Sequence, residues 1–176
     1  MEEHIRELLA EGENRQAFNL IVRQYSERLY WVVRRMVTVH DDANDCLQEA
    51  FVKIWKNLDR FRGESSVYTW VYRIAVNETI TFLKKRRISR MFTDPDSARG
   101  LADDPYFNGN EAQTALQRAI AKLPPKQKAV FTLRYFEETT YTRMSEIFGT
   151  SEGALKATYH NAKLKVEAYL LKSIEK

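Results

Sequence analysis

The chain has 176 residues, enough for one domain or two small ones, and 44% of them are apolar, with nine Tyr, nine Phe and three Trp to fill compact cores. Six Gly and four Pro argue against a mainly β or disordered chain, and the one cysteine, Cys46, excludes a disulfide framework within it. A net charge of +4 and a pI of 9.1 are compatible with a nucleic-acid partner without demanding one.

Met1–Glu13 is charged throughout, unlike a signal peptide, and no apolar run is long enough to cross a bilayer, so a soluble, cytoplasmic setting without membrane insertion is expected. Ile5, Leu8 and Leu9 predict a short amphipathic helix stopped at Gly12. Asn14 can cap a second helix, whose buried face is Phe18, Ile21, Val22, Tyr25, Leu29, Val32, Val33 and Met36. His40-Asp41-Asp42 interrupts the pattern, and either aspartate can cap a third helix. Its inner stripe is Ala43, Cys46, Leu47, Ala50, Phe51, Ile54 and Leu58, so Cys46 reads as a core filler. The opposite face carries Asp41, Asp45, Gln48, Glu49 and Val52 at helical spacing. An acidic face in a basic protein is a poor place for DNA and a suitable one for a basic protein partner, although most such faces are simply solvated.

A polar loop from Arg60 to Ser66 pivots at Gly63 and leads into a fourth helix over 67–87. Val67, Val71, Ile74, Ala75 and Phe82 can pack inward, but Tyr68, Trp70, Tyr72, Arg73 and Asn77 cannot all follow them. The helix closes on Lys84-Lys85-Arg86-Arg87. Aromatics beside a basic cluster suit single-stranded nucleic acid; the alternative is that Trp70 and Tyr72 are core and the basic run complements a helix C-terminus. Past Ile88 the periodicity collapses, and Asp94-Pro95, Gly100, Asp103-Asp104-Pro105 and Gly109-Asn110 are breakers, which predicts a linker over 89–110. The net charge is +2 over 1–88 (15 basic, 13 acidic residues), −2 over 89–110 (2 and 4) and +4 over 111–176 (11 and 7). The fold class expected is all-α, two small helical domains joined by a flexible linker.

In the second domain Ala115, Leu116, Ala119, Ile120 and Leu123 mark a helix ended by Pro124-Pro125, the second proline opening the next one. Val130, Phe131, Leu133, Tyr135 and Phe136 wall the pair that follows. In that pair Met144, Ile147 and Phe148 give an apolar face, Gly149 a stop, and Ser151 an N-cap. Ser145 is small where the two helices approach closely. The last helix buries Ala154, Leu155, Tyr159 and Ala162 and leaves Lys156, Ala157, Thr158, His160, Asn161 and Lys163 outside. This is the pattern of a helix-turn-helix, whose second helix can enter a major groove.

Taken together, Ala17-Phe18, DDANDCLQEAFVKIW at 41–55, FRGESSVYTWVYRIAVN at 61–77 and LPPKQKAVFTLRYFEETTY at 123–141 resemble a bacterial RNA polymerase sigma factor of the extracytoplasmic-function group over nearly the whole chain. The resemblance implies that Asp41, Asp45, Gln48, Glu49 and Val52 dock on the clamp helices of the polymerase's largest subunit. It implies that Arg62, Ser65, Ser66, Tyr68, Trp70, Arg73 and Asn77 recognise and open the −10 promoter element, with Lys84, Lys85, Arg86 and Arg87 on nearby phosphates. Capturing a flipped base needs a shaped pocket, since flipping costs a few kcal/mol. The −35 element would be read by Ser151, Lys156, Ala157, Thr158, His160, Asn161 and Lys163, with the domain also meeting the polymerase flap. An anti-sigma partner is a further expectation. Positions 157, 158 and 161 are Ala, Thr and Asn where many relatives carry Ser and Arg; Asn161 can read an adenine and Thr158 a thymine methyl.

Two other classes compete. A DNA-binding regulator that never meets polymerase has no use for Asp45 and Glu49. A small helical enzyme lacks support: His4, His40 and His160 are scattered, and there is no Glu-x-x-His pair, paired cysteine or nucleotide-binding glycine motif. No catalysis, metal or cofactor is expected.

Overall fold

The structure, a computed structural model, describes residues 1–90 and 109–175, the side chains of 88–90 excepted. Among the described residues it is all helical. The first helix, α1 (Glu2–Ala10), ends ahead of Gly12, where φ is 77°. The second, α2 (Asn14–Met36), begins at Asn14 itself, so Asn14 is not the expected cap; its amide donates to Asp59 in the 3₁₀ turn Leu58–Arg60. Likewise Asp41 and Asp42 do not cap α3 (His40–Asn57) but lie in its first turn, where negative charge suits the helix dipole. Asp42 pairs with Arg86 of α4 (Val67–Arg90). That helix runs three residues past the predicted end at Arg87, because Ile88-Ser89-Arg90 contains no breaker. The breakers at Asp94-Pro95, Gly100 and Asp103-Asp104-Pro105 lie outside the described residues.

The C-terminal unit opens on a capping box: the Asn110 side chain accepts from Gln113 N–H, while the Gln113 side chain accepts from Asn110 N–H, at the start of α5 (Glu111–Ala121). Pro125 is the first residue of α6 (Pro125–Tyr135). Thr140 caps α7 (Tyr141–Phe148) and Ser151 caps α8 (Glu152–Ile174), with Gly149 left-handed between them at φ 63°. Ser145 Oγ donates to the Thr150 carbonyl at 2.6 Å, which pins the turn. The expected inner face of α8 is corrected at Ala154, which is exposed: it falls in the first turn, ahead of the point where α8 meets its neighbours.

Two cores result. Ala119, Ile120, Leu123, Phe131, Ala162 and Val166 pack together within the C-terminal unit. The larger core runs from Ile5, Ile21, Leu29, Ile54 and Tyr72 on into Val130, Leu133, Met144, Ile147 and Leu155, and so crosses from one unit to the other. Cys46 lies in it, and burial, reinforced by Asp42, Glu78 and Asp45, pushes its thiol up to about 12, far from the range of a reactive thiolate.

Glu138 has φ 51°, the left-handed conformation, and beyond it Thr139 N–H returns to the Leu133 carbonyl at 3.0 Å to close α6. Glycine fits this position better than glutamate does. We expect Glu138→Gly to raise stability by about 0.5–1 kcal/mol, read as a higher denaturation midpoint at unchanged slope.

Candidate protein and nucleic-acid interfaces

On α3, burying Ala43, Cys46, Ala50 and Ile54 forces the intervening positions outward. Asp41, Asp45, Gln48 and Glu49 are all exposed there, and Val52 is 43% exposed at the end of the row. Trp55, one turn on from Val52, is 46% exposed and meets Phe18 edge-on at 5.2 Å. The spacing from 48 to 52 to 55 puts Trp55 on the same face, a signal that was available in the sequence, since exposed tryptophans are enriched where partners bind. The face is thus an acidic strip ending in an apolar patch.

The loop before α4 is shaped from outside itself. The Phe61 ring lies 5.2 Å from Trp70, and Gly63 takes φ 72°. Ser66 Oγ accepts from Thr69 N–H at 3.0 Å, capping α4. From α1, Arg6 donates to the Ser65 carbonyl at 2.8 Å and Glu2 accepts from Val67 N–H at 2.7 Å. Sequence reading left both residues in an amphipathic helix with no assigned role, because contacts 59 and 65 residues apart leave no local pattern.

The candidate nucleic-acid residues of this half divide. Arg62, Asn77, Lys84, Lys85 and Arg87 are exposed, whereas Ser65, Ser66, Trp70 and Arg73 are half-buried. Arg86 is held by Asp42. Tyr68, 8% exposed, stacks on Tyr72 at 4.0 Å, and Tyr25 meets both edge-on. Tyr72 is core, as one reading of the aromatics allowed; burial first, then Tyr68 and Glu137, push its phenol well above the usual tyrosine range. Arg73 donates to the Glu146 carbonyl of α7.

On α8 the outer face is open. Ser151, Lys156, Ala157, His160, Asn161 and Lys163 are exposed and Thr158 is half-buried, its hydroxyl bonded to the Ala154 carbonyl. Lys156 Nζ stands 5.6 Å from the centre of the Tyr141 ring and Lys163 lies 3.9 Å from Glu167. Leu155 and Ala162 bind the opposite side of the helix to the rest of the unit.

A helical module with an exposed acidic strip, carrying a helix-turn-helix whose second helix turns its outer face to solvent, has the build of a bipartite transcription factor. Two family models match: Sigma-70 region 2 over residues 21–88 and Sigma-70, region 4 over residues 113–166. The chain is 33% identical to the RNA polymerase sigma factor YlaC of Bacillus subtilis, covering 89% of this chain and 93% of that one. It is 30% identical to the ECF RNA polymerase sigma-E factor of Haemophilus influenzae over 88% and 87% of the two chains. Among solved structures, the sigma factor RpoE in complex with the anti-sigma factor NepR from Bartonella quintana matches with a TM-score of 0.71 at 22% identity, covering 88% and 96%. CnrH in complex with the cytosolic domain of CnrY gives 0.71 at 21%, covering 98% and 97%. The chain belongs to the RNA polymerase sigma factors, in their extracytoplasmic-function group. It is therefore a factor that joins core RNA polymerase and directs promoter recognition at initiation. No helix among the described residues is long and apolar enough to cross a membrane.

Proposed function

We propose that the chain divides this work between its units at named surfaces: residues 1–88 grip polymerase and open the −10 element, 111–176 anchor on the −35 element, and 89–110 join them. The strip of Asp41, Asp45, Gln48, Glu49 and Val52, extended by Trp55, takes the basic clamp helices. The loop at Arg62–Ser66 with Tyr68, Trp70, Arg73 and Asn77 receives an extruded base, and Lys84, Lys85, Arg86 and Arg87 hold the neighbouring phosphates. Ser151, Lys156, Ala157, Thr158, His160, Asn161 and Lys163 face the −35 major groove. The work is binding and positioning without catalysis by this chain, in the cytoplasm, and an anti-sigma partner such as the structural neighbours carry restrains it.

The observation that supports this most is the simultaneous exposure of two unlike faces, an acidic strip on α3 and a basic helix face on α8. One suits a protein and the other suits DNA. The test is run-off transcription by core polymerase on a promoter library, with and without the chain. Transcripts that depend on the chain, and that share two sequence blocks about 35 and 10 bases upstream, are the expected result. Transcripts independent of the chain would overturn the reading.

A further inference from the structure

Ahead of residues 21–88, which the region 2 family model matches, stands α1, a helix given no part in the work so far. Burial fixes its position: Ile5 is fully enclosed and Leu8 nearly so, both in the larger core. With that face turned inward, Glu2 and Arg6, one turn apart, are left beside the loop that leads into α4.

The loop has little to hold it from within. Among the described residues, no backbone–backbone hydrogen bond starts or ends between Arg62 and Ser65. Gly63 turns the chain at φ 72°, and the fixed points come from α1 instead. Arg6 Nη2 donates to the Ser65 carbonyl at 2.8 Å, Glu2 Oε1 accepts from Val67 N–H at 2.7 Å, and the two side chains lie 3.9 Å apart. The pair thereby clips the chain on both sides of Ser66, whose own hydroxyl caps α4 through Thr69 N–H. Glu2 also places a negative charge at the start of α4, where the helix dipole favours it. The Arg6 guanidinium stands 6.0 Å from the centre of the Phe61 ring, and its Nη1 would lie 3.7 Å from a Cβ placed at Gly63. One side chain of α1 therefore reaches the loop at its beginning, its turn and its end.

We infer that α1 is the brace of the base-capturing loop, with Arg6 and Glu2 as positioning residues that set how selectively the extruded base is received. The inference rests on the reading of Arg62–Ser66 as the loop that takes that base. A pocket discriminates among bases only while its walls are held in place by groups behind them. Polymerase docking is a separate matter, since Asp45 and Glu49 lie on α3, outside this set of contacts. Loss of the brace therefore leaves the factor able to join polymerase and impairs its choice of base.

The test uses the full chain in holoenzyme, on a promoter recovered from the run-off library. The other three bases are placed in turn at the −10 position where the unsubstituted chain discriminates most. Arg6→Met keeps much of the aliphatic stem and removes every donor. It should lower the ratio of opening rates, preferred base over the others, by about tenfold, with affinity for core polymerase unchanged. Arg6→Lys retains a donor and should restore most of that ratio, which ties the effect to the bond with the Ser65 carbonyl. Glu2→Ala should act in the same direction by about threefold. An unchanged ratio in Arg6→Met overturns the brace, and so does a loss shared equally by core binding. The loop itself is judged by Arg62→Ala with Ser65→Ala. If that double variant shifts the ratio while the α1 variants do not, the brace alone falls; if it shifts nothing, the reading of the loop falls too.

Discussion

Reversing two charges on α3, Asp45→Arg with Glu49→Arg, is expected to abolish association with core RNA polymerase. Both side chains are exposed, and among the described residues the ion pairs of α3 run instead from Asp42 to Arg86 and from Lys53 to Glu78. The fold therefore stands, with far-UV circular dichroism and the unfolding midpoint unchanged. At the interface each reversal turns an attraction into a like-charge contact costing several kcal/mol, so the dissociation constant should rise by about a thousandfold or more. Binding of labelled chain to core polymerase measures it, and undiminished binding by the double variant would remove the docking role from this strip.

The second large effect belongs to α8. Asn161 is exposed on the outer face, and its amide can bond an adenine edge with two hydrogen bonds, so Asn161→Ala should cost about 1–3 kcal/mol on the preferred −35 element and relax preference at one base pair. Lys156→Ala should instead weaken every sequence alike and lower the salt slope of binding by about one. Measuring both variants on a set of −35 sequences at several salt concentrations separates them. If Asn161→Ala weakens all sequences equally, base reading lies elsewhere on the helix.

What could be read in advance was local. Gly12, Gly149, Ser151 and Pro125 announce helix boundaries because each acts through its own backbone or its nearest turn, and all four stand where they were expected. The acidic strip was legible because burying Ala43, Cys46, Ala50 and Ile54 leaves Asp45 and Glu49 nowhere but outside. Asn14, Asp41 and Asp42 misled as caps for the opposite reason: a short polar side chain can cap or can reach across space, and Asp59 and Arg86 took two of the three. Arg6, Glu137 and Glu146 were beyond reach. Each owes its place to residues 59 or more positions away, and nothing in the spacing of charges along one helix specifies which distant helix they will meet.

The core that passes from Leu29 and Tyr72 into Leu133, Met144 and Leu155 gives the fold a thermodynamic property that two matched family regions would not suggest. Residues that fill one continuous interior are expected to melt together, so the free chain should unfold in one transition, coincident by circular dichroism and by fluorescence, although two family regions match it. A substitution at Leu133 is then felt in the N-terminal helices as well as in its own, and the stability of one half cannot be inferred from that half alone.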